Sequence, residues 1–422
     1  MEYFNYDIKN YKLHIINTDR FKTISLSINI RFDDENGDEK YFSLLSRLLL
    51  NTSYKYKTKR DINIGCAKIY DPTYSVNVLV SGMENMLTLR ANFCNEKYTE
   101  KGMNEESIKY LLDILFKPKI INDGFDEKVF NIQKKKVIEN LNSIRDYPND
   151  YASARVDEIM QIKDYKEKSI AQLIKSISEL TPQDLYKFYL KVLNKGSLDI
   201  TLCGNVNPLE IKDIFERNVS FPGKYVDRNH ICHQKLFNDK PNIIIEKSNN
   251  TQSNLIVGCK FDALTDFERN YVFILFSWIL GGGVNSLLNQ TVREKNSLCY
   301  YIYTLKYHLF DVIRIISGID GENFDKTYNL ILKEIENMKK GKFSLELFNS
   351  VKQIYYNSLI EIEDCNDWLV ENFNAYLFIG CDKLEDRKKM MEKVTKQDVI
   401  NLANKIHIDT VYLLEGEGNG EA

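Results

Sequence analysis

The sequence predicts an α/β protein made of two similar halves, each with a mostly antiparallel sheet packed against helices. The chain has 422 residues, whereas a single hydrophobic core stops growing at roughly 250–300 residues, so at least two domains are expected. Apolar residues alternate as in strands and then recur at helical spacing, and this order of patterns occurs twice. Short motifs also recur about half a chain apart. We therefore expect an internal duplication.

Strands and helices are predicted in the same order in both halves. In the first half the patterns indicate a strand at 21–33, a helix at 39–50, strands at 73–80 and 86–93, and a helix at 107–116. In the second half they indicate a strand at 253–261, a helix at 267–280, strands at 298–305 and 310–317, and a helix at 325–338. Each half then has further helices and a last strand, at 198–204 and at 410–415. The repeated order favours one fold that occurs twice.

Matches between individual residues support the duplication. Phe130-Asn131 and Phe348-Asn349 each open a helix in the corresponding place. Thr181 and Thr395 each begin a T-x-Q-D motif, in which the threonine is a good helix N-cap and the acid lies in the first turn. The two threonines are 395 − 181 = 214 residues apart, which is about half of the chain. This inference depends on no family resemblance.

A linker is expected at 219–240, where the apolar periodicity lapses. It divides the chain into an N-terminal domain at 1–218 and a C-terminal domain at 241–422. The linker contains His230-Ile231-Cys232-His233, and histidine and cysteine are residue types that bind metals. Because the chain has no second cluster at ligand spacing, we interpret this segment as a polar linker and not as a metal site.

The composition is that of a soluble globular protein, with 43% hydrophobic and 28% charged residues. A net charge of −3 favours neither nucleic acid nor an anionic membrane surface as a partner. We expect a cytoplasmic protein, because no apolar run has the length of a signal-peptide core or of a membrane span. The eight cysteines form no C-x-x-C pair, so we interpret them as reduced, mostly buried thiols.

The stretch from Leu280 to Tyr303 carries the most informative motif. Three glycines, Gly281 to Gly283, close an apolar run and predict the end of a helix. A second short helical pattern reaches Arg293, and a strand is predicted from Leu298 onward. Arg293 at the end of a helix and Tyr300 at the start of a strand are thus seven residues apart.

This stretch resembles a motif of the insulinase/pitrilysin family of zinc metallopeptidases. In the second half of those proteins a glycine-rich turn precedes R-x-E-x-x-L-x-Y or a close variant, and here the sequence from Arg293 to Tyr300 is REKNSLCY. The resemblance covers nearly the whole chain and implies two mitochondrial-processing-peptidase-like α/β roll domains. It also implies that Arg293 and Tyr300 hold the substrate carbonyl in the active site of the other half. Gly281, Gly282 and Gly283 would then take part in substrate binding.

The zinc motif of the family is missing from this chain. Active members carry H-x-x-E-H on the first helix of the first half, where the histidines bind zinc and the glutamate activates water. The corresponding residues here are Ser43, Ser46 and Arg47. The distal glutamate ligand corresponds to Asn140, and Glu139, one position away, is turned about 100° around the helix. The first half contains one histidine, so a two-histidine zinc site there is impossible.

The resemblance therefore implies a zinc-free subunit. Two-chain members of the family divide the work between one subunit with the zinc motif and another with the arginine and the tyrosine, and this sequence resembles the second kind. We expect a hetero-oligomer with an H-x-x-E-H-containing homologous subunit that carries the zinc, a peptide substrate, and no activity of this chain alone. The segments FKTISLSINIRF, NDYASAR and VREKNSLCYY further resemble the YmfF-like group of bacterial proteins associated with the 5-aminopentanol modification of elongation factor P.

Two alternatives stay open. The chain could be a non-catalytic scaffold of the same fold, like the core subunits of respiratory complexes, with Arg293 only a structural ion-pair donor. It could also be a subunit of a maturation protease for a ribosomally made peptide. The neighbouring genes discriminate among these readings: an H-x-x-E-H homologue favours the two-chain peptidase, a precursor peptide with a radical enzyme favours the maturation protease, and neither favours the scaffold.

Overall fold

The computed structural model describes residues 1–162, 168–227, 231–234 and 237–417. The strands are β1 (Glu2–Ile8), β2 (Tyr11–Asn17), β3 (Thr23–Asp33), β4 (Thr73–Ser81), β5 (Glu84–Cys94), β6 (Ile120–Ile121), β7 (Gly124–Phe125), β8 (Ser197–Gly204), β9 (Asn242–Lys247), β10 (Ser253–Phe261), β11 (Cys299–Tyr307), β12 (Val312–Ile319) and β13 (Ile406–Glu415). The helices are α1 (Glu39–Leu49), α2 (Lys59–Ala67), α3 (Met103–Phe116), α4 (Glu127–Asn142), α5 (Pro148–Met160), α6 (Ile170–Ser178), α7 (Pro182–Lys195), α8 (Pro208–Asn218), α9 (Phe273–Gly281), α10 (Phe324–Lys339), α11 (Leu345–Ile362), α12 (Asn366–Ile379), α13 (Leu384–Glu392) and α14 (Lys396–Ala403). Within these ranges no helix is both long and apolar enough to cross a membrane.

The first compact unit consists of Met1–Leu141, Ala171–His230 and Glu361–Ile379. Its six-stranded sheet has the order β1-β2-β8-β3-β5-β4. The β2–β8 pair is parallel and the other neighbours are antiparallel. One apolar cluster joins the sheet to helices of this unit, with Ile28 and Ile200 from the sheet and Leu45 from α1 all fully buried. The sheet therefore has one thoroughly apolar face.

The second compact unit consists of Asn142–Ile170, Ile231–Ile360 and Gly380–Ala422. Its five-stranded sheet has the order β9-β13-β10-β12-β11. The β9–β13 pair is parallel, and the other neighbours are antiparallel. This is the order and polarity of β2-β8-β3-β5-β4 in the first unit. The predicted fold class, two similar α/β domains with mostly antiparallel sheets packed with helices, is confirmed.

Each unit contains a helical segment from the other half of the chain. Helix α12 packs on β3 and β8, where Asn374 Nδ2 donates to Ser27 Oγ at 3.1 Å and Thr201 Oγ1 donates to Asn374 Oδ1 at 2.8 Å. Helix α5 packs on β10 and β13 in the corresponding way. A cut at the predicted boundaries 218 and 241 therefore does not separate the two compact units, because helices α5 and α12 pack with the sheet of the opposite half.

The predicted strands and helices in both halves are present, with ends that differ by a few residues. The two T-x-Q-D motifs form true capping boxes: the backbone N–H of Asp184 donates to Thr181 Oγ1 at 3.1 Å, and that of Asp398 donates to Thr395 Oγ1 at 3.2 Å. Elements without a sequence prediction include the hairpin β1–β2, helix α2, the short hairpin β6–β7 and the parallel strand β9. The predicted linker contains no helix or strand in its described residues.

The cysteines are all free thiols. Burial raises the pKa of Cys203 and of Cys259 to about 12 each. Such thiols stay protonated at neutral pH and behave as small apolar side chains.

Candidate functional site

Helix α9 packs on strand β11 and ends at the three glycines. Most of its apolar side chains are fully buried, whereas Trp278 is 40% exposed. The backbone N–H of Gly282 donates to the carbonyl of Trp278 at 3.1 Å where the helix ends. None of the three glycines has a positive φ. Gly281 instead permits a close approach, because a Cβ there would lie 2.8 Å from Thr304 Cγ2 and 3.1 Å from the Thr304 backbone nitrogen. The predicted helix end is confirmed, and its cause is close packing of the helix on β11.

Arg293 lies on a wide helical turn, the π-helical segment Asn289–Glu294. The turn is fastened to β11, because Asn289 Nδ2 donates to the carbonyl of Ile302 at 3.0 Å. The Arg293 side chain is 46% exposed, and its one ion pair within the described residues is a long contact of 3.9 Å with Glu294. Single π turns inside helices often occur at functional sites. The turn thus exposes a guanidinium group that forms no close ion pair with the described residues.

Tyr300 lies at a β-bulge at the start of β11. Cys299 is paired with Ile319 and Tyr301 with Gly318, so that Tyr300 is the extra residue between them. A bulge changes the direction of a side chain, and bulges are frequent beside active sites. Tyr300 is 56% exposed, and its hydroxyl donates to Asp320 Oδ1 at 3.3 Å. The charge of Asp320 raises the pKa of the Tyr300 hydroxyl, so this group keeps its proton at neutral pH.

A cavity of about 360 Å³ adjoins the Tyr300 side chain, and it is lined by Thr251, Gln252, Tyr300 and Asp320. The cavity offers a carboxylate, a side-chain amide and two hydroxyls, which can bind polar groups of a peptide. Sequence reasoning did not find Thr251, Gln252 or Asp320. A signal for Asp320 was available, because an antiparallel hairpin brings the residue after β12 close to the start of β11.

In the first unit, α1 carries the residues at the positions of the family's zinc motif. Ser43 is exposed, whereas Ser46 is buried and its Oγ donates to the carbonyl of Phe42 at 2.9 Å. Oriented to satisfy its hydrogen bonds, the Asn140 amide accepts from Arg47 Nη2 at 2.9 Å. Glu139 points elsewhere and contacts Lys135 at 3.7 Å. The positions assigned to a zinc ligand on α1 and to the distal ligand on α4 therefore meet in space, but they carry a guanidinium and an amide.

The described residues of the linker show no metal site. His230 lies outside the described residues, and His233 Nδ1 is 2.8 Å from Asp311 Oδ2. Cys232 is buried and its thiol contacts the carbonyl of Ile162 at 3.5 Å. Across the described part of the chain, no three His, Cys, Asp or Glu side chains form a group able to hold a metal ion.

Known proteins match this chain in sequence. Residues 179–355 match the sequence family described as peptidase M16 inactive domain. The chain is similar to the protein named "Probable inactive metalloprotease YmfF" of Bacillus subtilis, with 24% identity over 413 residues that cover 96% of this chain and 95% of that protein. The predicted resemblance to the insulinase/pitrilysin family is confirmed by these two matches.

Solved structures share the fold over the whole length of this chain. A conserved protein from Enterococcus faecalis V583 has a TM-score of 0.89 at 22% identity, with 100% of both chains covered. The structure titled peptidase M16 inactive domain from Pseudomonas fluorescens has a TM-score of 0.78 at 15% identity, with 100% of this chain and 99% of that chain covered. The fold of this chain is therefore the fold of these solved structures.

Proposed function

We propose that this chain is the zinc-free subunit of a two-chain zinc peptidase, in which Arg293 and Tyr300 hold the peptide in the active site of a partner subunit. The partner would be a homologous chain with the H-x-x-E-H motif, and it would supply the zinc. The resemblance to two-chain members of the insulinase/pitrilysin family, in which one subunit has the zinc motif and the other the arginine and the tyrosine, supports this division. The chain alone would bind peptide weakly and would cleave none.

The observation that carries this proposal is a contrast in exposure within one short segment. Val292 is fully buried, and Leu298 and Cys299 are 6% and 9% exposed, whereas the Arg293 side chain is 46% and Tyr300 56% exposed. A π turn and a bulge, both departures from regular structure, present the two exposed residues. A purely structural ion-pair donor would have a close acid partner, and the 3.9 Å contact of Arg293 with Glu294 is too long and too exposed to stabilise the fold appreciably.

The chemistry of the two side chains fits the role. A guanidinium group has a planar fork of donors that can bind a carbonyl oxygen of a bound peptide. A tyrosine hydroxyl can donate to the oxygen that becomes negative as the scissile carbonyl is attacked. Because Asp320 raises the pKa of Tyr300, this hydroxyl stays a donor at the pH at which such peptidases work.

Two residues of the first unit support the assignment of the zinc to another chain. Arg47 puts a fixed positive charge where a metal ligand would be needed, and Asn140 binds that charge at 2.9 Å. A guanidinium has no lone pair for zinc and repels a divalent cation. The proposal therefore assigns substrate holding to the second unit and no metal chemistry to the first.

The test uses the complex of this chain with the H-x-x-E-H homologue from the same genome. Tyr300→Phe removes only the hydroxyl, and Arg293→Lys keeps the charge but removes the fork. Loss of one such preorganised donor lowers turnover by ~10² to 10³, or roughly 2.7 to 4 kcal/mol. We expect that loss in the kcat for a fluorogenic peptide, with unchanged assembly and melting temperature.

Tyr303→Phe is the matched control, because Tyr303 is 40% exposed on the same strand. It should leave turnover within about twofold of the unmodified complex. Full activity in a stably assembled Tyr300→Phe, Arg293→Lys double variant would remove the reason for the proposal. If the variants lose melting temperature and activity in parallel, the result would instead favour the scaffold hypothesis, in which Arg293 and Tyr300 stabilise the fold.

A further inference from the structure

Strand β9 is an edge strand with an uncovered apolar strip. It pairs with β13 on one side only, and within the described residues nothing pairs with its other side. Ile243 and Ile245 are 52% and 53% exposed. The two side chains lie on the same face of the sheet, because residues two apart on a strand share a face. They form a short strip that we call the β9 strip.

The first unit shows what a covered version of this strip looks like. Strand β2 pairs in parallel with β8 as β9 pairs in parallel with β13. In this correspondence Leu13 and Ile15 of β2 are equivalent to Ile243 and Ile245 of β9. Leu13 is 0% and Ile15 is 1% exposed. In that unit β1 pairs with the edge of β2, and α8 packs over both strands. In the second unit, the described residues after β13 are 416 and 417, and they form no helix.

The polar residues of β9 leave the strip free for an apolar partner. Glu246 points to the opposite face of the sheet, where Tyr412 donates to it at 3.0 Å and Arg155 at 3.1 Å. Natural edge strands are often protected by charged side chains or proline. In β9, Pro241 precedes the strand, and Lys247 ends it on the same face as the strip. This protection is therefore confined to the two ends of the strand.

We propose that the β9 strip is the interface with a second copy of this chain, formed by antiparallel pairing of the two β9 strands about Ile244. In that register Ile243 lies opposite Ile245 of the second copy, and Ile245 lies opposite Ile243 of the second copy. No like charges are brought together, because Asn242 lies opposite Glu246 of the second copy. Each β9 then occupies the place on the other that β1 occupies on β2, and β1–β2 is likewise an antiparallel pair. The sheet would become continuous over ten strands.

This interface is independent of the proposed peptidase role. Strands β9 and β11 are at opposite edges of the five-stranded sheet, which are about 19 Å apart at 4.8 Å for each of four strand spacings. Tyr300 on β11 therefore stays accessible in the dimer. A homodimer could also carry two zinc-bearing partner subunits.

The first experiment measures the association state of the full-length chain. Sedimentation velocity over about a hundredfold range of concentration should show a monomer–dimer equilibrium. Ile245→Lys should raise the dissociation constant at least tenfold, because it places a charge in an apolar strip. Val80→Lys is the matched control, since Val80 is 48% exposed on the edge strand β4, and it should leave the equilibrium unchanged. A chain that stays monomeric over the whole range overturns the proposal.

A second experiment tests the register. Opposite residues of an antiparallel pair have Cα atoms roughly 4.5–5.5 Å apart, which is within the range that a disulfide spans. Ile244→Cys should therefore give a covalent dimer on mild oxidation, whereas the unmodified chain and Val80→Cys should not. Pairing through β9 is contradicted if Ile245→Lys does not weaken the dimer. It is also contradicted if Ile244→Cys gives no more cross-linking than Val80→Cys. Loss of the mixed complex in Ile245→Lys, with the chain alone monomeric, assigns the strip to the zinc-bearing partner and also overturns the proposal.

Discussion

Zinc binding should be restored to the first unit by Ser43→His, Arg47→His and Asn140→Glu together. Ser43 and Arg47 are one helical turn apart on α1, and Arg47 Nη2 already lies 2.9 Å from the Asn140 amide. Zinc ligands lie about 2.0–2.2 Å from the metal, so side chains on α1 and α4 have to meet in this way to share one ion. Replacing the guanidinium also removes the positive charge that repels the metal.

The expected magnitude follows from linkage between binding and folding. Zinc at 100 times its dissociation constant stabilises the folded state by about 2.7 kcal/mol. For a unit of this size, each kcal/mol raises the melting temperature by roughly 2–4 °C, so a rise of roughly 5–11 °C is expected. Thermal melts of the chelator-treated variant with and without zinc measure this shift, and elemental analysis should find about one zinc per chain.

Two control variants separate a rebuilt site from adventitious binding. Ser43→His with Arg47→His alone lacks the distal carboxylate, and the shift should be much smaller because Glu139 points toward Lys135. Ser43→His with Asn140→Glu keeps Arg47, and it should show no shift because the new carboxylate pairs with the guanidinium. A well-folded triple variant without a zinc-dependent rise would refute the assignment of these positions.

Three further outcomes are expected. The unmodified chain, purified alone, should contain no stoichiometric zinc and hydrolyse no peptide, and elemental analysis that finds about one zinc per chain would contradict this. Gly281→Val should lower the free energy of unfolding of the second unit by ~1–3 kcal/mol in urea, because the valine side chain would collide with Thr304. Gly283→Ala should be nearly neutral, because the nearest atom to the new Cβ would be 3.9 Å away. Burial lowers the pKa of His308 from 6.5 to about 4, so the unfolded state binds more protons than the folded state between these pH values. The free energy of unfolding should therefore fall as the pH drops from 6.5 to 4. His308→Asn should flatten this part of the profile, and an unchanged profile would show that other groups cause the fall.

Most of the regular structure could be predicted from the sequence, because strands such as β10 and helices such as α7 have clear periodicity and caps. The hairpin β1–β2 and strand β9 were missed, since short edge strands with mixed residues have weak patterns. The packing of α5 and α12 on the sheet of the opposite half could not be predicted either. That packing is a long-range contact, and local periodicity shows only that a helix has an apolar face.

The candidate site was predictable in its residues but not in its geometry. The spacing of Arg293 and Tyr300 is visible in the sequence. The π turn and the bulge that expose them depend on packing, of the turn on β11 and of β11 on β12. Glycine at the end of a helix usually adopts a left-handed conformation. Gly281 does not, and it instead permits close packing of the helix on β11. Asp320 was missed because its link to Tyr300 exists only after the hairpin has formed.

The most direct test of the central claim is photo-cross-linking from position 300 in the mixed complex. A benzophenone amino acid at position 300 should capture a peptide substrate when the zinc-bearing partner is present, and the same group at position 303 should capture much less. Without the partner, capture from position 300 should fall to background. An active mixed complex in which position 300 captures no peptide, or captures it equally without the partner, would contradict a role for Tyr300 in holding substrate at the partner's active site.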